Sequence, residues 1–504
     1  MKNKEAGILL HISSLPSKYG IGTLGEEAYK FVDFLKASKM KIWQILPLNL
    51  TSYGDSPYQS PSNYALNYYF IDLDILHKKG LLDKKDYVNE DFGDDETKID
   101  YGTLYLTRVK VLKKAFERFN RKDKDFQEFL TKNKNFEDFA VFMVIKEINE
   151  NKPWMHFKKG YRIYCQEVFD KVKSVYEDLF LFYMWTQFEF LNQYFKLKEY
   201  ANENNVKIMG DLPLYVAIDS VEAWKYPELF AFNEHNEPIN VAGCPPDAFS
   251  VDGQLWGNPV YNWEYHKKTN YKWWNERIDN ALNLYDYLRI DHFRGFSAYY
   301  SIPFKDTTAR NGKWVKGPGF DLFVDKKELP IVAEDLGLLD DDFYQLMDQC
   351  GYPGMKIVTQ GLDNLDEDNI WKPSNYTYNF FAYTSTHDSQ TSKQFIEELD
   401  KKSKDMLIKA IEKECKKFSL PFNKDASEES LVYTLCELNL ASASKAALLP
   451  LQDIFAIGKR GRMNFPSTVS VDNWSWRISK DEFDNNYDIK VSFLKGLVEK
   501  YQRD

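Results

Sequence analysis

Long apolar runs are missing from this sequence of 504 residues. The N-terminal segment MKNKEAGILLHISS has only a three-residue apolar run before a histidine and two serines, which is too short for the core of a secretion signal. No later run is long enough to span a membrane. These absences predict a cytoplasmic protein that has no membrane partner.

Basic tracts and closely spaced cysteines are also scarce. The 66 lysines and arginines against 76 aspartates and glutamates give a formal charge of -10, and no basic tract interleaved with aromatic residues provides a surface for nucleic acid. The five cysteines are odd in number and far apart, which predicts reduced thiols and no disulfides. The seven histidines form no metal-binding pair, and GIGTLG (20–25) follows a loop and not a strand. The sequence therefore predicts neither a metal nor a cofactor.

Eight short apolar runs, each bounded by turn residues, are the main feature that the sequence does contain. Such runs are typical of strands buried on both faces, and helical periodicity lies between many of them. The alternation predicts an α/β fold, a (β/α)8 TIM barrel of parallel strands, with an open, doubly wound sheet as the alternative. The runs are GILLHISS (7–14), KIWQILPL (41–48), VKIMGDLP (206–213), DYLRIDHF (286–293), LPIVAEDLG (329–337), MKIVTQ (355–360), FFAYTSTHD (380–388) and ALLPLQD (447–453).

Polar residues stand at the carboxyl ends of most of these runs, and in a barrel such ends converge on the face that holds the active site. Any one of them could instead be a helix N-cap or a solvated carboxylate. Their common position favours one constellation. The six are His11, Asp211, Asp291, Glu334, Asp388 and Asp453.

The lengths of the connections predict how the chain is organised. Because barrels with inserted loops can exceed about 400 residues, we expect residues 1–504 to form a single catalytic barrel. An inserted, mainly helical subdomain is predicted over 50–205, between the second and third strands. A second inserted region is predicted over 212–285, with a substrate-covering loop at 243–259. The stretch after the last run is too short for a terminal β-sandwich domain.

Helical spacing supports the first of these insertions. The segment SVYEDLFLFYMWTQFEFLNQYFKLKEY (174–200) is predicted as one long helix. An earlier apolar stripe is predicted to pack into the core, and it consists of Leu106, Val109, Leu112, Phe116 and Phe119.

The segment LRIDHFRGF (288–296) places two arginines, a histidine and an aspartate at the end of an apolar run. Residues two apart in a strand lie on one face, so Arg289 and Asp291 are predicted to point into the barrel mouth while Ile290 packs outward. A neighbouring guanidinium favours an ionised carboxylate, as a nucleophile must be. A purely structural ion pair is the alternative.

Glu334 and Asp388 stand at equivalent ends of other strands, so three carboxylates are expected on one rim. Cleavage of a glycosidic bond needs an ionised carboxylate to attack the anomeric carbon and a carboxylic acid to protonate the departing oxygen. A third carboxylate would stabilise the positive charge of the transition state. The residues alone leave open whether water or a sugar hydroxyl completes the reaction.

Long stretches of the sequence resemble one enzyme family. RIDHFRG, IVAEDLG and STHD are similar to the three catalytic blocks of the α-amylase clan. GILLHISSLPSKYGIGTLG, YGDSPYQSPSNYALN, DLPLYVAIDSVEAW and GCPPDAFSVDGQLWGNPVYNW resemble the blocks of the amylomaltases, or 4-α-glucanotransferases, and the similarity extends to RMNFP and NWSWR at 462–477. The resemblance implies a TIM barrel and the transfer of α-1,4-glucan segments from a donor glucan to glucose or a maltooligosaccharide.

The resemblance also implies roles for particular residues. By motif, Asp291 matches the family nucleophile, Glu334 its acid/base and Asp388 its transition-state stabiliser. Two further groups are implied to bind substrate: Arg289 and His387, which hold the nucleophile and the sugar beside it, and Tyr58, Asp211, Gln254 and Trp256, which lie in blocks associated with glucan contact.

Two positions depart from the family pattern, because Ser389 stands where asparagine is usual and Cys244 where a small apolar residue is common. These departures concern the surroundings of the carboxylates. The alternatives to a retaining glucanotransferase are an α-1,4-glucan hydrolase and a non-catalytic glucan-binding protein.

Overall fold

The computed structural model describes residues 3–246 and 250–504, and twelve strands lie in those ranges. They are β1 (Glu5–Leu9), β2 (Ile42–Gln44), β3 (Lys207–Leu212), β4 (Asn240–Cys244), β5 (Gln254–Pro259), β6 (Tyr287–Ile290), β7 (Ala298–Pro303), β8 (Lys313–Lys316), β9 (Ile331–Ala333), β10 (Gly354–Ile357), β11 (Phe380–Tyr383) and β12 (Ala446–Pro450).

Eight of these strands form one parallel sheet in the order β10-β11-β12-β1-β2-β3-β6-β9. Its outer strands meet, because the Ala333 N–H donates to the Pro353 carbonyl at 2.9 Å and the Met355 N–H donates to Asp335 Oδ1 at 2.6 Å. The sheet therefore closes, which confirms the predicted (β/α)8 barrel and makes the open-sheet alternative wrong. Each of the eight predicted runs overlaps one barrel strand.

Alternation along the strands separates the barrel interior from the layer beneath the helices. In β3, Met209 belongs to the interior cluster and Ile208 to the outer core. The interior cluster is small and mainly apolar; its buried members are Ile42, Met209, Val332, Met355, Phe381, Tyr383, Ala446 and Leu448.

Sixteen α-helices lie in the described ranges, and six of them, α2 to α7, separate β2 from β3. The helices are α1 (Glu26–Ala37), α2 (Leu73–Lys78), α3 (Tyr101–Arg118), α4 (Lys124–Lys132), α5 (Lys134–Ile148), α6 (Gln166–Val175), α7 (Glu177–Glu203), α8 (Val221–Lys225), α9 (Trp263–Lys268), α10 (Lys272–Leu284), α11 (Asp341–Cys350), α12 (Ser392–Glu397), α13 (Lys401–Lys417), α14 (Glu428–Ala441), α15 (Leu451–Ile454) and α16 (Lys480–Lys500).

Two details of the helical prediction are wrong. The long helix α7 begins at Glu177, because α6 ends at Val175 and Tyr176 joins the two. Leu106 is 79% exposed, since the buried face of α3 carries Leu104 and Val111 and a residue two positions from Leu104 points to the other side of a helix. Whether 50–205 is a separate subdomain stays a prediction.

The other four strands form an antiparallel sheet in the order β5-β4-β7-β8. The sequence analysis missed this sheet, because glycines and prolines interrupt the apolar pattern of β4 and β5. The predicted covering loop 243–259 includes residues 247–249, which lie outside the described residues. Across the described part of the chain, every helix is too short or too polar to cross a membrane.

Candidate active site

Three carboxylates lie at the carboxyl ends of barrel strands or directly after them, at positions that continue the inward-facing alternation. Asp211 comes two residues after the interior Met209, and Glu334 two residues after the interior Val332. Asp291 comes two residues after Arg289, whose side chain is 2% exposed. The rule that places apolar side chains inside the barrel thus brings these carboxylates together at its carboxyl end.

Arg289 joins two of the carboxylates through separate nitrogens. Its Nη1 lies 2.6 Å from Asp211 Oδ2, and its Nη2 lies 2.9 Å from Asp291 Oδ1. The side chain of Asp211 is fully buried, whereas that of Asp291 is 26% exposed. The predicted pairing of Arg289 with Asp291 is present, and the guanidinium both compensates the buried charge of Asp211 and orients the more accessible carboxylate.

Glu334 is attached to the loop that carries Asp291. The His292 N–H donates to Glu334 Oε2 at 2.8 Å, and the Leu336 N–H donates to Oε1 at 2.7 Å. Burial and the nearby Asp291 carboxylate raise the pKa of Glu334 to about 7, although Arg289 opposes the shift. A carboxyl group with this pKa can hold a proton near neutral pH and then release it, as a general acid and base must.

Asp388 lies on the opposite side of the site, beside His387. His387 Nε2 is 3.2 Å from Asp388 Oδ2, and the Asn464 amide donates to Asp388 Oδ1 at 2.7 Å. Desolvation alone would raise the pKa of Asp388, but His387 and Asn464 together hold it well below its ordinary value. The side chain is 45% exposed, so this carboxylate is both ionised and accessible to a ligand.

Tyr58 connects the two sides of the site. Its hydroxyl donates to Asp211 Oδ2 at 2.8 Å and lies 2.8 Å from His387 Nε2. Because burial raises the pKa of Tyr58 well above its ordinary value, the hydroxyl keeps its proton, and His387 Nε2 must then be the donor to the tyrosine oxygen. The two rings also stack, with centroids 5.5 Å apart.

Gln254 and Trp256 lie on β5 and contact each other. The Trp256 indole N–H donates to Gln254 Oε1 at 3.0 Å, and the Trp256 ring meets the His292 ring edge to face at 4.9 Å. His292 has a left-handed backbone with φ of 47°, a costly conformation for a residue with a side chain. The antiparallel sheet is thereby joined to the residue that follows Asp291.

All nine predicted site residues therefore lie in one region. Seven of them form a continuous network of hydrogen bonds and ion pairs through Arg289, Tyr58 and the His292 backbone, and the Gln254–Trp256 pair reaches that network through the His292 ring. Their chemical roles stay predictions.

Three neighbours of the network were not predicted as site residues. His292 supplies a backbone donor to Glu334, Asn464 binds Asp388, and Trp474 packs against Tyr58 with centroids 5.6 Å apart. Asn464 and Trp474 lie in RMNFP and NWSWR, whose polar and aromatic residues after the last barrel strand were the available signal.

The remaining rim residues do not join the carboxylate network. His11 accepts a hydrogen bond from the Leu46 N–H at Nδ1, and burial together with the charge of His387 lowers its pKa to about 3, so it is neutral. Asp453 is fully buried on α15. Among the residues that the structure describes, no group of three or more His, Cys, Asp or Glu side chains could hold a metal ion.

Comparisons with known proteins agree on one family. The model of the 4-alpha-glucanotransferase family matches residues 10–482. A 4-alpha-glucanotransferase of Clostridium butyricum is 43% identical over 495 residues, which are 97% of this chain and 99% of that protein. A 4-alpha-glucanotransferase of Streptococcus pneumoniae is 42% identical over 492 residues, which are 96% of this chain and 94% of that protein. Among solved structures, an amylomaltase from Streptococcus agalactiae in complex with acarbose matches with a TM-score of 0.93 and 40% identity, covering 99% of each chain.

Proposed function

The chain belongs to the 4-alpha-glucanotransferase family, and on that premise we propose that Asp291, Glu334 and Asp388 carry out its reaction, the movement of an α-1,4-glucan segment from one glucan to another. The observation that supports these roles best is the attachment of Glu334 to the His292 N–H. This hydrogen bond connects Glu334, whose pKa is about 7, to the loop that carries Asp291, and Asp291 is paired with Arg289.

In the first half of the reaction, a carboxylate oxygen of Asp291 attacks the anomeric carbon of the donor glucan. The bond from that carbon to the bridging oxygen breaks, and the Glu334 carboxylic acid gives its proton to the departing oxygen. The glycosyl group is then covalently bound to Asp291, and Glu334 is ionised. Asp388, held ionised beside His387, stabilises the positive charge that develops at the anomeric carbon.

In the second half, the 4-hydroxyl of a glucose or maltooligosaccharide acceptor attacks the same carbon. Glu334 takes the proton of this hydroxyl, the bond to Asp291 breaks, and both carboxyl groups return to their starting states. One glycosidic bond is broken and one is formed in each cycle, with net retention of configuration.

Substrate contacts are proposed for the remaining site residues. Tyr58 and Asp211 border the nucleophile, and His387 borders Asp388, which suits contacts to the sugar that is being transferred. Trp256, supported by Gln254, offers an aromatic face to the acceptor. We also propose that 243–259, within the inserted region 212–285, covers the cleft and limits access of water.

Products from maltotriose test the proposal. The protein alone should build a ladder of longer maltooligosaccharides with free glucose, while total reducing ends stay nearly constant. Steadily rising reducing ends with only short products would indicate a hydrolase, and an unchanged mixture would indicate a binding protein. Asp291→Ala should lower turnover by several orders of magnitude, and a variant that keeps a tenth of native activity would refute the assignment. The cytoplasmic location stays a prediction, which cell fractionation would test.

A further inference from the structure

The loop that carries His387 and Asp388 is attached at both ends to one buried carboxylate. The Asp388 loop, residues 384–392, comprises the connection from β11 to α12 together with Ser392, the first residue of α12. The carboxylate is that of Asp453, which lies on α15, after the next barrel strand, and is 0% exposed. The reaction proposed above assigns no task to Asp453.

Four donors of the Asp388 loop converge on this carboxylate. At the start of the loop, the Thr384 and Ser385 hydroxyls donate to Asp453 Oδ2 at 2.5 and 2.7 Å. At its end, the Ser392 N–H donates to Oδ1 and the Ser392 hydroxyl to Oδ2, both at 2.7 Å. Oδ2 thus accepts the three hydroxyls and Oδ1 accepts the Ser392 N–H, so both oxygens of the carboxylate are engaged.

This arrangement fixes the two ends of the loop relative to each other and to the barrel. Its middle is held by the contacts of His387 and Asn464 with Asp388, which is 45% exposed, and by the Ser389 hydroxyl, which accepts a hydrogen bond from the Thr386 N–H at 2.9 Å. If the ends separated, Asp388 would move relative to Asp291, which belongs to a different strand. Small displacements of this kind are costly, because a misplacement of about 1 Å can lower a rate roughly 100-fold.

We propose that Asp453 is a positioning residue for the transfer reaction. It holds the loop so that Asp388 faces the anomeric carbon. The inference rests on the proposed role of Asp388. Among the described residues, the hydrogen bonds to the Asp453 side chain come from Thr384, Ser385 and Ser392, so Asp453 is placed to act through the loop.

Asp453→Asn is the main test, because a carboxamide has one acceptor oxygen and cannot satisfy both the Ser392 N–H and the hydroxyls. With maltotriose, we expect kcat to fall 10- to 100-fold and KM to change less than threefold, since Asp388 acts mainly in the transition state. A raised KM with native kcat would overturn the proposal.

Glu414→Gln provides a matched control for loss of a buried acceptor. Glu414 lies on α13, is 1% exposed, and accepts hydrogen bonds from the Ser374 N–H at 2.9 Å and the Ser374 hydroxyl at 3.0 Å, the same pair of donors that Ser392 provides to Asp453. Its kcat should stay within twofold of the native value. An equal loss of kcat in both variants would mean that general destabilisation is the cause and would overturn the inference.

Asp388→Asn separates failure of this inference from failure of the proposed function. If Asp388→Asn keeps more than a tenth of native kcat, the role of Asp388 is wrong. If it is inactivated while Asp453→Asn keeps native kcat, only the positioning role is wrong. In the double variant, the Asp453 change should lower the residual rate less than threefold further, and a full additional loss would overturn the inference.

Single-donor variants keep the test decisive if Asp453→Asn does not fold. Thr384→Val and Ser392→Ala each remove one hydroxyl donor and leave the carboxylate in place. We expect each to lower kcat 2- to 10-fold with KM within threefold of native. Native kcat in both variants would overturn the proposal.

Discussion

Replacement of Glu334 by glutamine should abolish transfer and yet stabilise the folded protein at alkaline pH. The reason is the burial of a group that must ionise. Glu334 is 8% exposed, and burial raises its pKa from 4.5 to about 7. Between these two values the folded protein keeps a proton that the unfolded chain has released, so the free energy of unfolding falls as the pH rises through this window.

The magnitude follows from the two pKa values. The gap between 4.5 and about 7 corresponds to about 3 kcal/mol once the group is fully ionised in both states. Between pH 5 and pH 8, the native protein should lose about 2 to 3 kcal/mol of stability through this group. Glutamine does not ionise, so Glu334→Gln escapes this loss.

A comparison of stability at two pH values cancels those effects of the substitution that do not depend on pH. The glutamine amide can accept a hydrogen bond from only one of the His292 and Leu336 N–H donors, which costs about 1–3 kcal/mol at every pH. Urea titrations followed by tryptophan fluorescence at pH 5 and pH 8 should therefore show the variant gaining about 2 to 3 kcal/mol relative to the native protein. An equal difference between the two proteins at both pH values would refute the reasoning.

Asp340→Asn is the internal control, because desolvation is outweighed there by the Arg294 guanidinium and the Phe343 N–H, which shift the pKa of Asp340 in the opposite direction, below 3.8, and no histidine contacts it among the described residues. Its contribution to stability is present above pH 3.8 and is lost only as the pH falls through the lower folded-state pKa. Between pH 5 and pH 8 the group is ionised in both states. The stability difference between Asp340→Asn and the native protein should therefore be the same at both pH values.

The other predictions concern activity. The value of kcat/KM for maltotriose should fall tenfold per pH unit above about pH 7, as Glu334 loses the proton it must donate; a rate that stays constant to pH 9 would contradict this role. Tyr58→Phe removes the hydroxyl shared by Asp211 and His387 but keeps the ring, and should lower kcat about tenfold; native kcat would show that the hydroxyl does not order the site. Trp256→Ala should raise the ratio of hydrolysis to transfer, measured as reducing ends formed per glucose released, and an unchanged ratio would remove the acceptor role. Treatment with EDTA should leave activity intact, and loss that calcium restores would reveal a metal requirement.

Much of the architecture follows from local pattern. Continuous apolar runs such as VKIMGDLP can only be satisfied by strands buried on both faces, and a sheet of such strands must be covered by helices. Alternation then determines that Arg289 and Asp291 share a face. The boundaries of α7 and the exposure of Leu106 were beyond this reasoning, because they depend on which neighbouring helix covers each face.

The antiparallel sheet could not be predicted from the local sequence pattern. Its strands β4 and β5 contain glycine and proline at positions that interrupt any apolar alternation. β5 pairs with β4, and β4 pairs with β7, which begins more than fifty residues after β4 ends. Pairing between segments that are far apart in the sequence cannot be predicted from the residues of one segment alone.

The amino-acid sequence by itself determined the buried parallel strands, the family and the set of carboxylates, because strand periodicity and long motifs are properties of consecutive residues. Only the tertiary structure decided which groups act together. Tyr58 and His387 meet although 329 positions separate them, and the Asp388 loop is attached to Asp453 through bonds that span 61 to 69 positions. The pKa of Glu334 depends on burial by several elements at once. Hydrogen bonds and desolvation act through space, and proximity in space is established only when the barrel closes.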